Sequence, residues 1–378
     1  MRFKVYPEDF VVEEVLKKDV IKQKGKYKIF RAQKFNLESF YLKKILERTF
    51  NSKISFAGLK DKKSFSYFYF SATGDIPNFI RFKNFSAELV GYSDKELKGS
   101  DIEKNNFKIL LREVKEKEVE KAFRIIDELK LKGFPNYFDI QRLSSDEGNL
   151  FFYHLLKGDI KSAVKVYLLS IPSEDKKNLR RFKKMVKKYF EKPERILPYA
   201  PSDKEREIIN KLIKKEYESI VKGIGKNSLK IYFEKFSSLL WNKSASKFLR
   251  KRRISEKRGF SIKIKNLYLF VPEYINPEMK NIIKSEIFTV PGTTRIPTHP
   301  EFEEILKREI KKEGFSYPIS LPDFLGDFEF RSYSRSLWVF PENLSYYYEN
   351  GKIYLNFSLK AGAYATLLIK ILMRKLNL

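Results

Sequence analysis

Residues 353–372 read IYLNFSLKAGAYATLLIKIL, and this stretch contains both kinds of secondary structure that the chain uses. Apolar residues stand at every second position from Ile353 to Leu359, which is the period of a β-strand with one buried face. After Gly362 the spacing changes to i, i+3, i+4, i+7, i+8, the pattern of one helix face, at Tyr364, Leu367, Leu368, Ile371 and Leu372. The chain therefore ends in a strand and an amphipathic helix, which predicts an α+β fold.

The first third of the chain shows the same mixture of short strands and helices. The predicted strands lie at 10–12, 28–30, 67–70 and 108–111, and the dense aromatic run at 67–70 favours a buried strand. Apolar spacing predicts one helix around Leu42–Leu46 and a second from Val119 to Leu129 that ends at Gly133.

The middle of the chain has a different character. From about residue 140 to residue 334 the patterns change to longer helices and basic clusters. Because strand patterns return only near the end, we expect the last residues to complete the sheet that the first third begins. The predicted organisation is one domain formed by 1–139 and 335–378, interrupted by an insertion domain at 140–334.

The net charge is large and positive. The 378 residues include 77 Lys and Arg against 48 Asp and Glu, a formal net charge of +29 with both histidines neutral. Binding of a polyanion relieves such self-repulsion and releases condensed counterions, so the composition favours a nucleic acid partner. The alternative is the Lys- and Glu-rich surface of a thermophile protein, but that surface predicts a charge near balance.

The chain has no cysteine and only two histidines, His154 and His299. This excludes disulfides, thiolate nucleophiles and Cys-ligated metal sites, and it leaves little material for a histidine metal site or a Ser-His-Asp triad. We therefore expect carboxylates, Tyr or Lys to supply acid–base chemistry, without a metal. No stretch reaches the ~18–20 apolar residues of a membrane span, and the start lacks the apolar core of a signal peptide, so we expect a cytoplasmic protein.

The segment most informative about chemistry is FAGLKDKK, residues 56–63, within a predicted loop at 55–63. It presents one carboxylate, Asp61, among three lysines. Flanking cations favour the ionised carboxylate, which suits a nucleophile or an electrostatic stabiliser better than a proton donor. The alternative is a solvated turn in which Asp61 bonds to its own backbone and the lysines face water.

Five segments resemble, in the same order, motifs of the TruD family of tRNA pseudouridine synthases. They are Pro7-Glu8-Asp9-Phe10, Ala57-Gly58-Leu59-Lys60-Asp61, Asn105-Asn106-Phe107, Gly133-Phe134-Pro135-Asn136-Tyr137-Phe138 and Leu359-Lys360-Ala361-Gly362-Ala363-Tyr364-Ala365-Thr366. The chain departs from the motifs at Lys104, Lys360 and Ala363, and after Asp61, where the family often has A-x-T-x-Q. The resemblance implies the mixed or antiparallel sheet of a pseudouridine synthase catalytic domain, interrupted by an α+β TruD-type insertion domain.

The resemblance also implies an activity and a site. It implies that the chain isomerises uridine to pseudouridine in tRNA, at position 13, with Asp61 as the catalytic residue and without a cofactor. The substrate-binding residues that it implies are Phe10, Asn105, Phe107 and Tyr364, with Lys4 as a cation beside the Asp61 carboxylate. From the residues alone, the three aromatic residues would be core and Asn105 would be a turn residue.

The basic clusters fit docking of tRNA, because Lys and Arg position an RNA through its phosphates. The predicted RNA contacts are Arg250, Lys251, Arg252 and Arg253, and the alternative is a solvated helix face. No protein partner is implied. The alternative function is a non-catalytic RNA-binding protein of the same fold. A hydrolase that uses Ser64 or Ser66 as nucleophile lacks a plausible base, because His154 is predicted in the other domain.

Overall fold

The protein is described by a computed structural model that covers residues 1–58, 60–143, 146–171, 176–252 and 259–377. The chain forms two compact units. The first comprises Met1–Asn136 and Trp338–Leu378, and the second comprises Tyr137–Leu337. The predicted insertion domain at 140–334 and its TruD-type character stay a prediction.

Sixteen strands are described. They are β1 (Arg2–Phe3), β2 (Phe10–Leu16), β3 (Tyr27–Phe35), β4 (Ile54–Phe56), β5 (Phe65–Ala72), β6 (Phe79–Phe82), β7 (Phe85–Ser93), β8 (Ile102–Arg112), β9 (Phe134–Pro135), β10 (Gly259–Ile264), β11 (Leu267–Pro272), β12 (Phe288–Val290), β13 (Tyr333–Arg335), β14 (Trp338–Val339), β15 (Glu342–Glu349) and β16 (Lys352–Lys360).

Twelve α-helices are described between and after these strands. They are α1 (Ser39–Phe50), α2 (Glu116–Lys132), α3 (Ile140–Leu143), α4 (Asp146–Leu156), α5 (Ile160–Ser170), α6 (Lys176–Tyr189), α7 (Asp203–Ile213), α8 (Tyr217–Gly223), α9 (Lys226–Lys251), α10 (Pro277–Ser285), α11 (Pro300–Lys312) and α12 (Ala365–Lys375).

Ten strands of the first unit form one mixed sheet. Its order is β15-β16-β8-β2-β5-β3-β7-β6, with β1 beside β8 and β4 beside β5. Strands β2 and β5 run parallel, whereas β16 and β8 pair antiparallel from Ile353 with Leu111 to Lys360 with Lys104. The C-terminal strands therefore complete the sheet begun by the first third of the chain, and the predicted α+β fold class is confirmed.

The alternating residues of the central strands build the core on one face of this sheet. Phe30 of β3 and Phe70 of β5 stack with ring centroids 4.9 Å apart, and Leu42 and Leu46 of α1 pack in the same cluster. Full burial of each such side chain contributes roughly 1.5–3 kcal/mol. Helix α1 is placed here by its caps: the Glu38 carboxylate accepts N–H bonds from the first turn, and Asn51 ends the helix in the left-handed conformation.

Two local predictions are wrong. Tyr364 does not belong to the last helix; it precedes α12 as its N-cap residue, with an extended backbone, because the turn at Gly362 with φ +83° delays the helix start. Ser55 and Phe56 do not belong to a loop, because they pair with Ser71 and Phe70 as part of β4.

The second unit is built around α9, a helix of 26 residues. Its large side chains Phe236, Trp241 and Phe248 are buried at 2% exposure or less. Asn242 of α9 bonds to both backbone groups of Phe138, accepting from its N–H and donating to its carbonyl at 2.8 Å each. Two strand pairs, β10 with β11 and β12 with β13, complete the described part of this unit.

The chain leaves and re-enters the first unit along neighbouring strands. Strands β9 and β14 pair antiparallel, with Phe134 opposite Val339 and Pro135 opposite Trp338. The indole Nε1 of Trp338 donates to the carbonyl of Lys132 over 2.7 Å. This pair lies at the two points where the first unit is interrupted.

Candidate active site

Asp61 lies in the loop that joins β4 to β5, and buried donors fix the backbone of this loop. Lys34 Nζ donates to the Asp61 carbonyl oxygen over 2.7 Å and to the Leu37 carbonyl oxygen over 2.8 Å. Ser64 Oγ donates to the same Asp61 carbonyl over 2.7 Å. Two donors on one carbonyl oxygen hold the backbone of Asp61 in place, while its side chain keeps 21% of its surface exposed.

Lys34 is a lysine on the buried face of a strand. It follows Phe30 and Ala32 at two-residue spacing in β3, and its residue exposure is 1%. Burial lowers the pKa of Lys34 to about 8, although the nearby Asp61 carboxylate opposes this shift. At neutral pH most of the ammonium charge is therefore retained, and the two carbonyl oxygens are its partners.

The residue before Asp61 is fixed through both its backbone and its side chain. Ser39 Oγ donates to the Lys60 carbonyl over 2.9 Å and accepts from its N–H over 3.2 Å. Lys60 Nζ lies 2.5 Å from Glu14 Oε1 and 3.1 Å from Asn105 Oδ1. The Glu14 side chain is fully buried; burial raises the pKa of this carboxyl, whereas Lys60 and the N–H of Tyr69 oppose the rise. A buried ion pair thus connects the loop to β2 and β8.

Gly58 allows the loop to approach this ion pair. A Cβ atom at position 58 would lie 2.7 Å from Glu14 Oε1 and 3.0 Å from Ile102 Cδ1. A side chain there would displace the Glu14 carboxylate from its contact with Lys60. The glycine of the loop motif therefore lets the loop pack closely against this ion pair.

Lys4 supplies the cation beside the Asp61 carboxylate. Its Nζ forms an ion pair with Asp61 Oδ2, and the two side chains are 19% and 21% exposed. The same ammonium lies 3.8 Å from the centroid of the Phe10 ring, in a cation–π contact. The structure therefore brings Lys4, Phe10 and Asp61 together.

A second buried carboxylate fixes the turn that carries Lys4. Asp9 Oδ2 accepts from the N–H groups of Val5 and Tyr6 over 3.1 and 3.0 Å, and Arg112 Nε lies 2.9 and 3.0 Å from the two Asp9 oxygens. Burial alone would raise the pKa of Asp9, but the bonds from Arg112 and Tyr6 hold it below its ordinary value. Lys4 has φ +54°, a conformation that costs an L-residue energy, so its position depends on this support.

The aromatic residues predicted to bind substrate pack on each other along one face of the sheet. Phe10 lies 5.9 Å from Phe107, and Phe107 lies 5.5 Å from Phe357, between ring centroids. Phe10 and Phe107 are only 5% and 6% exposed. Their packing is that of core residues, as the residues alone predicted, so each offers little surface to a base in this state.

Asn105 and Tyr364 lie in segments that meet at one end of β8 and β16. Asn105 is a buried residue of β8, opposite Glu14 on β2 and Leu359 on β16, so it is not a turn residue. Tyr364 follows β16 and is half-buried. Contacts therefore link five of the predicted residues through the Asp61 loop, namely Lys4, Phe10, Asp61, Asn105 and Phe107, and Tyr364 lies in the segment after β16.

These contacts distinguish between the interpretations of the loop. The Asp61 side chain pairs with Lys4, and although Lys62 and Lys63 are exposed, Lys60 is not, so the solvated turn describes only part of the loop. Ser64 and Ser66 are fully buried and bond to each other over 2.7 Å, which does not suit a nucleophile. His154 belongs to the second unit, where its Nδ1 lies 3.4 Å from Asp159.

Lys34 and Glu14 were not predicted as part of the site, and the sequence does contain a signal for them. Each is a charged residue at an inward position of an alternating strand, Glu14 after Phe10 and Val12, and Lys34 after Phe30 and Ala32. A charge at such a position needs a buried partner. The sequence does not identify that partner.

The predicted RNA contacts at residues 250–253 lie at and after the end of α9, in the second unit. Lys251 Nζ is 2.7 Å from Glu301 Oε1, and Arg252 is 2.5 Å from Glu301 Oε2 and 3.0 Å from Glu278 Oε1. Arg253 lies outside the described residues. Carboxylates of the same unit therefore partly neutralise this cluster.

Among the residues that the structure describes, no helix is long and apolar enough to cross a membrane. The same described ranges contain no group of three or more His, Asp or Glu side chains arranged to hold a metal ion.

Comparison with known proteins shows which family the chain resembles. The family model described as tRNA pseudouridine synthase D (TruD) matches residues 1–372. The tRNA pseudouridine synthase D of Leptospira interrogans is 27% identical over 394 residues, covering 97% of this chain and 94% of that protein. The protein of the same name from Aquifex aeolicus is 26% identical over 385 residues, with 98% and 97% covered.

A solved structure extends the comparison to the fold. A crystal structure from Methanosarcina mazei, whose name carries the same TruD designation, superposes with a TM-score of 0.64 at 21% identity and covers 100% of this chain and 93% of its own. This likeness supports the pseudouridine synthase fold. Since the family match also spans both ends of the chain and the Asp61 loop between them, the chain belongs to the tRNA pseudouridine synthase D (TruD) family.

Proposed function

We propose that Asp61 is the catalytic residue of this tRNA pseudouridine synthase and that uridine 13 of tRNA is its target. Membership of the family makes the chain an isomerase. The observation that carries the assignment of Asp61 is the way its loop is held. Lys34 and Ser64 fix the backbone from inside the protein, and the carboxylate stays partly exposed beside Lys4.

The reaction requires a carboxylate at a fixed position and no redox partner. The N1–C1′ bond of uridine breaks, the freed uracil turns, and C5 joins C1′; C5 then loses its hydrogen as a proton, and N1 ends protonated. Asp61 either attacks C1′, as the nucleophile of a glycosidase does, or removes a proton from the ribose. Both routes start from the ionised carboxylate, and both stay open.

The neighbours of Asp61 have complementary roles in this proposal. Lys4 places a positive charge beside the Asp61 carboxylate and orients that carboxylate through their ion pair. Asn105 accepts a hydrogen bond from Lys60 through Oδ1. Its amide nitrogen is then the group that donates to the edge of the base. Phe10 and Phe107 support the site as core residues, and the partly exposed Tyr364 is the aromatic residue on which a flipped base stacks.

We also propose that Arg250, Lys251, Arg252 and Arg253 contact tRNA phosphates. The Lys251 side chain is 61% exposed despite its pair with Glu301. Phosphate contacts of this kind position the RNA without reading its sequence. A tRNA substrate also fits the cytoplasmic location expected from the sequence.

Tritium release from tRNA labelled at C5 of uridine tests the catalytic assignment, because joining C5 to C1′ expels that hydrogen. We expect release by the wild-type protein and a loss of about 10³-fold or more in Asp61→Asn, with tRNA binding retained. Asp75→Asn is the matched control, since Asp75 is an exposed carboxylate of the same unit. Changing uridine 13 of the transcript to cytidine should abolish release.

Three results would contradict the proposal at different points. Release by Asp61→Asn at the wild-type rate would remove Asp61 from the chemistry. Release from a transcript that lacks uridine 13 would move the target to another uridine. Tight binding without release from any tRNA of a complete pool would favour the non-catalytic RNA-binding protein.

A further inference from the structure

Helix α6 has a charge pattern that the proposed site does not use. Its sequence is KKNLRRFKKMVKKY, so eight of its 14 residues are Lys or Arg and none is Asp or Glu. The nearest acidic residues along the described chain after the helix are Glu191, which pairs with Lys161 over 2.5 Å, and Glu194. The charge of α6 is therefore not balanced within the helix.

The positive charges of α6 are ordered along one face. Leu179, Phe182 and Val186 are buried at 8% exposure or less and attach the helix to the second unit. The opposite face carries an exposed row of cations at i, i+3 and i+7, which we call the α6 stripe: Arg181, Lys184 and Lys188. At 1.5 Å per residue the stripe is about 10 Å long.

Two tyrosines support the cations of the stripe. The Arg181 guanidinium lies 4.7 Å from the centroid of the Tyr199 ring, and Lys188 Nζ lies 5.0 Å from that of Tyr189. Arg195 approaches the Tyr189 ring from elsewhere in the chain, at 5.4 Å. Cation–π contacts hold these charges near the helix surface without neutralising them.

The stripe is costly for the free protein. Like charges at i, i+4, such as Lys184 with Lys188, destabilise a helix, and α6 itself contains no carboxylate. Binding of an external polyanion would relieve this repulsion.

We propose that the α6 stripe is a docking surface for the phosphate backbone of tRNA, separate from residues 250–253. The inference rests on the proposed function and adds a second RNA contact in the second unit. The three cations follow one another about 4.5 to 6 Å apart along the helix axis, and one strand of a nucleic acid duplex presents a phosphate about every 3.4 Å, so each cation has a phosphate within reach. Membrane insertion is disfavoured, because a membrane-bound helix needs an exposed apolar face and the apolar residues of α6 are buried in the unit.

The test compares two triple variants of equal charge. Arg181→Gln/Lys184→Gln/Lys188→Gln removes three cations of the stripe, and Lys204→Gln/Lys214→Gln/Lys222→Gln removes three exposed cations of α7, the residue after it and α8. Dissociation constants for unmodified tRNA are measured between 50 and 200 mM salt. Single-turnover tritium release is measured with enzyme in large excess.

We expect the stripe variant to raise Kd about tenfold or more and to flatten the slope of log K against log[salt] by about two to three. The single-turnover rate at saturation should stay at the wild-type value, and the control variant should match the wild type in all three quantities. Unchanged affinity and slope in the stripe variant overturn the proposal and favour another occupant, such as an acidic protein. Absence of tritium release from the wild type would instead contradict the proposed function.

A second variant tests whether any loss of tRNA binding results from unfolding rather than from the lost charges. Lys184→Glu/Lys187→Glu reverses two exposed charges and touches neither tyrosine contact. It should weaken tRNA binding at least as much as the triple variant while its unfolding midpoint stays within a few degrees of the wild type. Wild-type affinity in this variant also overturns the proposal.

Discussion

The Asp61 loop and helix α6 both contain clustered lysines, yet the two regions use charge in opposite ways. Around Asp61, the ammonium groups of Lys4, Lys34 and Lys60 each have a partner within the same unit. On α6, Arg181, Lys184 and Lys188 are exposed on a helix that contains no carboxylate. The comparison teaches that charges paired inside the protein fix geometry, whereas exposed charges are available to a binding partner.

The largest effect on folding should come from breaking the buried pair of Lys60 and Glu14. Lys60→Met leaves the fully buried Glu14 carboxylate without its cation, and removal of one partner from such a pair costs about 3 kcal/mol. Burial already raises the pKa of Glu14, and loss of Lys60 raises it further, so the folded state binds a proton more readily than the unfolded state. The deficit in unfolding free energy should therefore be larger at pH 7.5 than at pH 5.

Urea unfolding at the two pH values measures this difference. Lys62→Met is the matched control, because Lys62 is an exposed lysine of the same loop and should cost little at either pH. The double variant Lys60→Met/Glu14→Gln should recover part of the lost stability. A deficit equal at pH 5 and pH 7.5 would show that the buried charge is not its cause.

The next effect should be on catalysis, through Lys34. Lys34→Met removes one of the two donors to the Asp61 carbonyl without touching the carboxylate, and a displacement of the loop should lower kcat by about ten- to a hundredfold with a smaller change in KM. Burial lowers the pKa of Lys34 to about 8, so its ammonium is present below that pH and is lost above it. The wild-type rate should therefore fall above about pH 8.

The pH profile of tritium release separates this positioning role from a general loss of stability. The fall above about pH 8 should be absent in Lys34→Met, whose lower rate should stay level through that range. Ser64→Ala, which removes the other donor to the same carbonyl, should keep the alkaline fall. A wild-type profile that stays flat up to pH 9 would contradict the role assigned to the Lys34 charge.

The smallest effect should come from residues 250–253. Changing Arg250, Lys251, Arg252 and Arg253 to Gln should weaken tRNA binding and flatten its salt dependence, but less than the stripe variant does. The reason is that Glu301 and Glu278 already partner two of these cations. An unchanged salt slope would refute the RNA contact at this cluster, and an effect larger than that of α6 would reverse the comparison of the two basic segments.

Local patterns predicted the elements of the fold well because each element carries its own period. The alternation of Ile353 to Leu359 became β16, and the helix expected before Gly133 became α2. The position of β5 between β2 and β3 could not be predicted this way, because strand order depends on pairings between residues distant in the chain. The family resemblance supplied the mixed sheet that the periodicity left open.

The site was predicted only in part, because the sequence shows local features and does not show contacts between distant residues. Asp61 stands out as a single carboxylate among lysines, and Lys4 was predicted beside it because it stands three residues before the motif that begins at Pro7. The partners of charges remained hidden where they are remote in sequence, as with Lys60 and Glu14, or Arg252 and Glu301. A run of basic letters therefore does not reveal whether the folded chain neutralises it.

The β9–β14 pair has a consequence for how the two units are connected. Because Phe134 and Val339 face each other, the two ends of the chain segment that forms the second unit meet at one antiparallel strand pair. The entropy lost on closing such a loop grows only logarithmically, by about 0.6 kcal/mol for each doubling of its length. Lengthening or shortening the second unit therefore costs the first almost nothing, and this junction is the place where the chain can change size without changing its sheet.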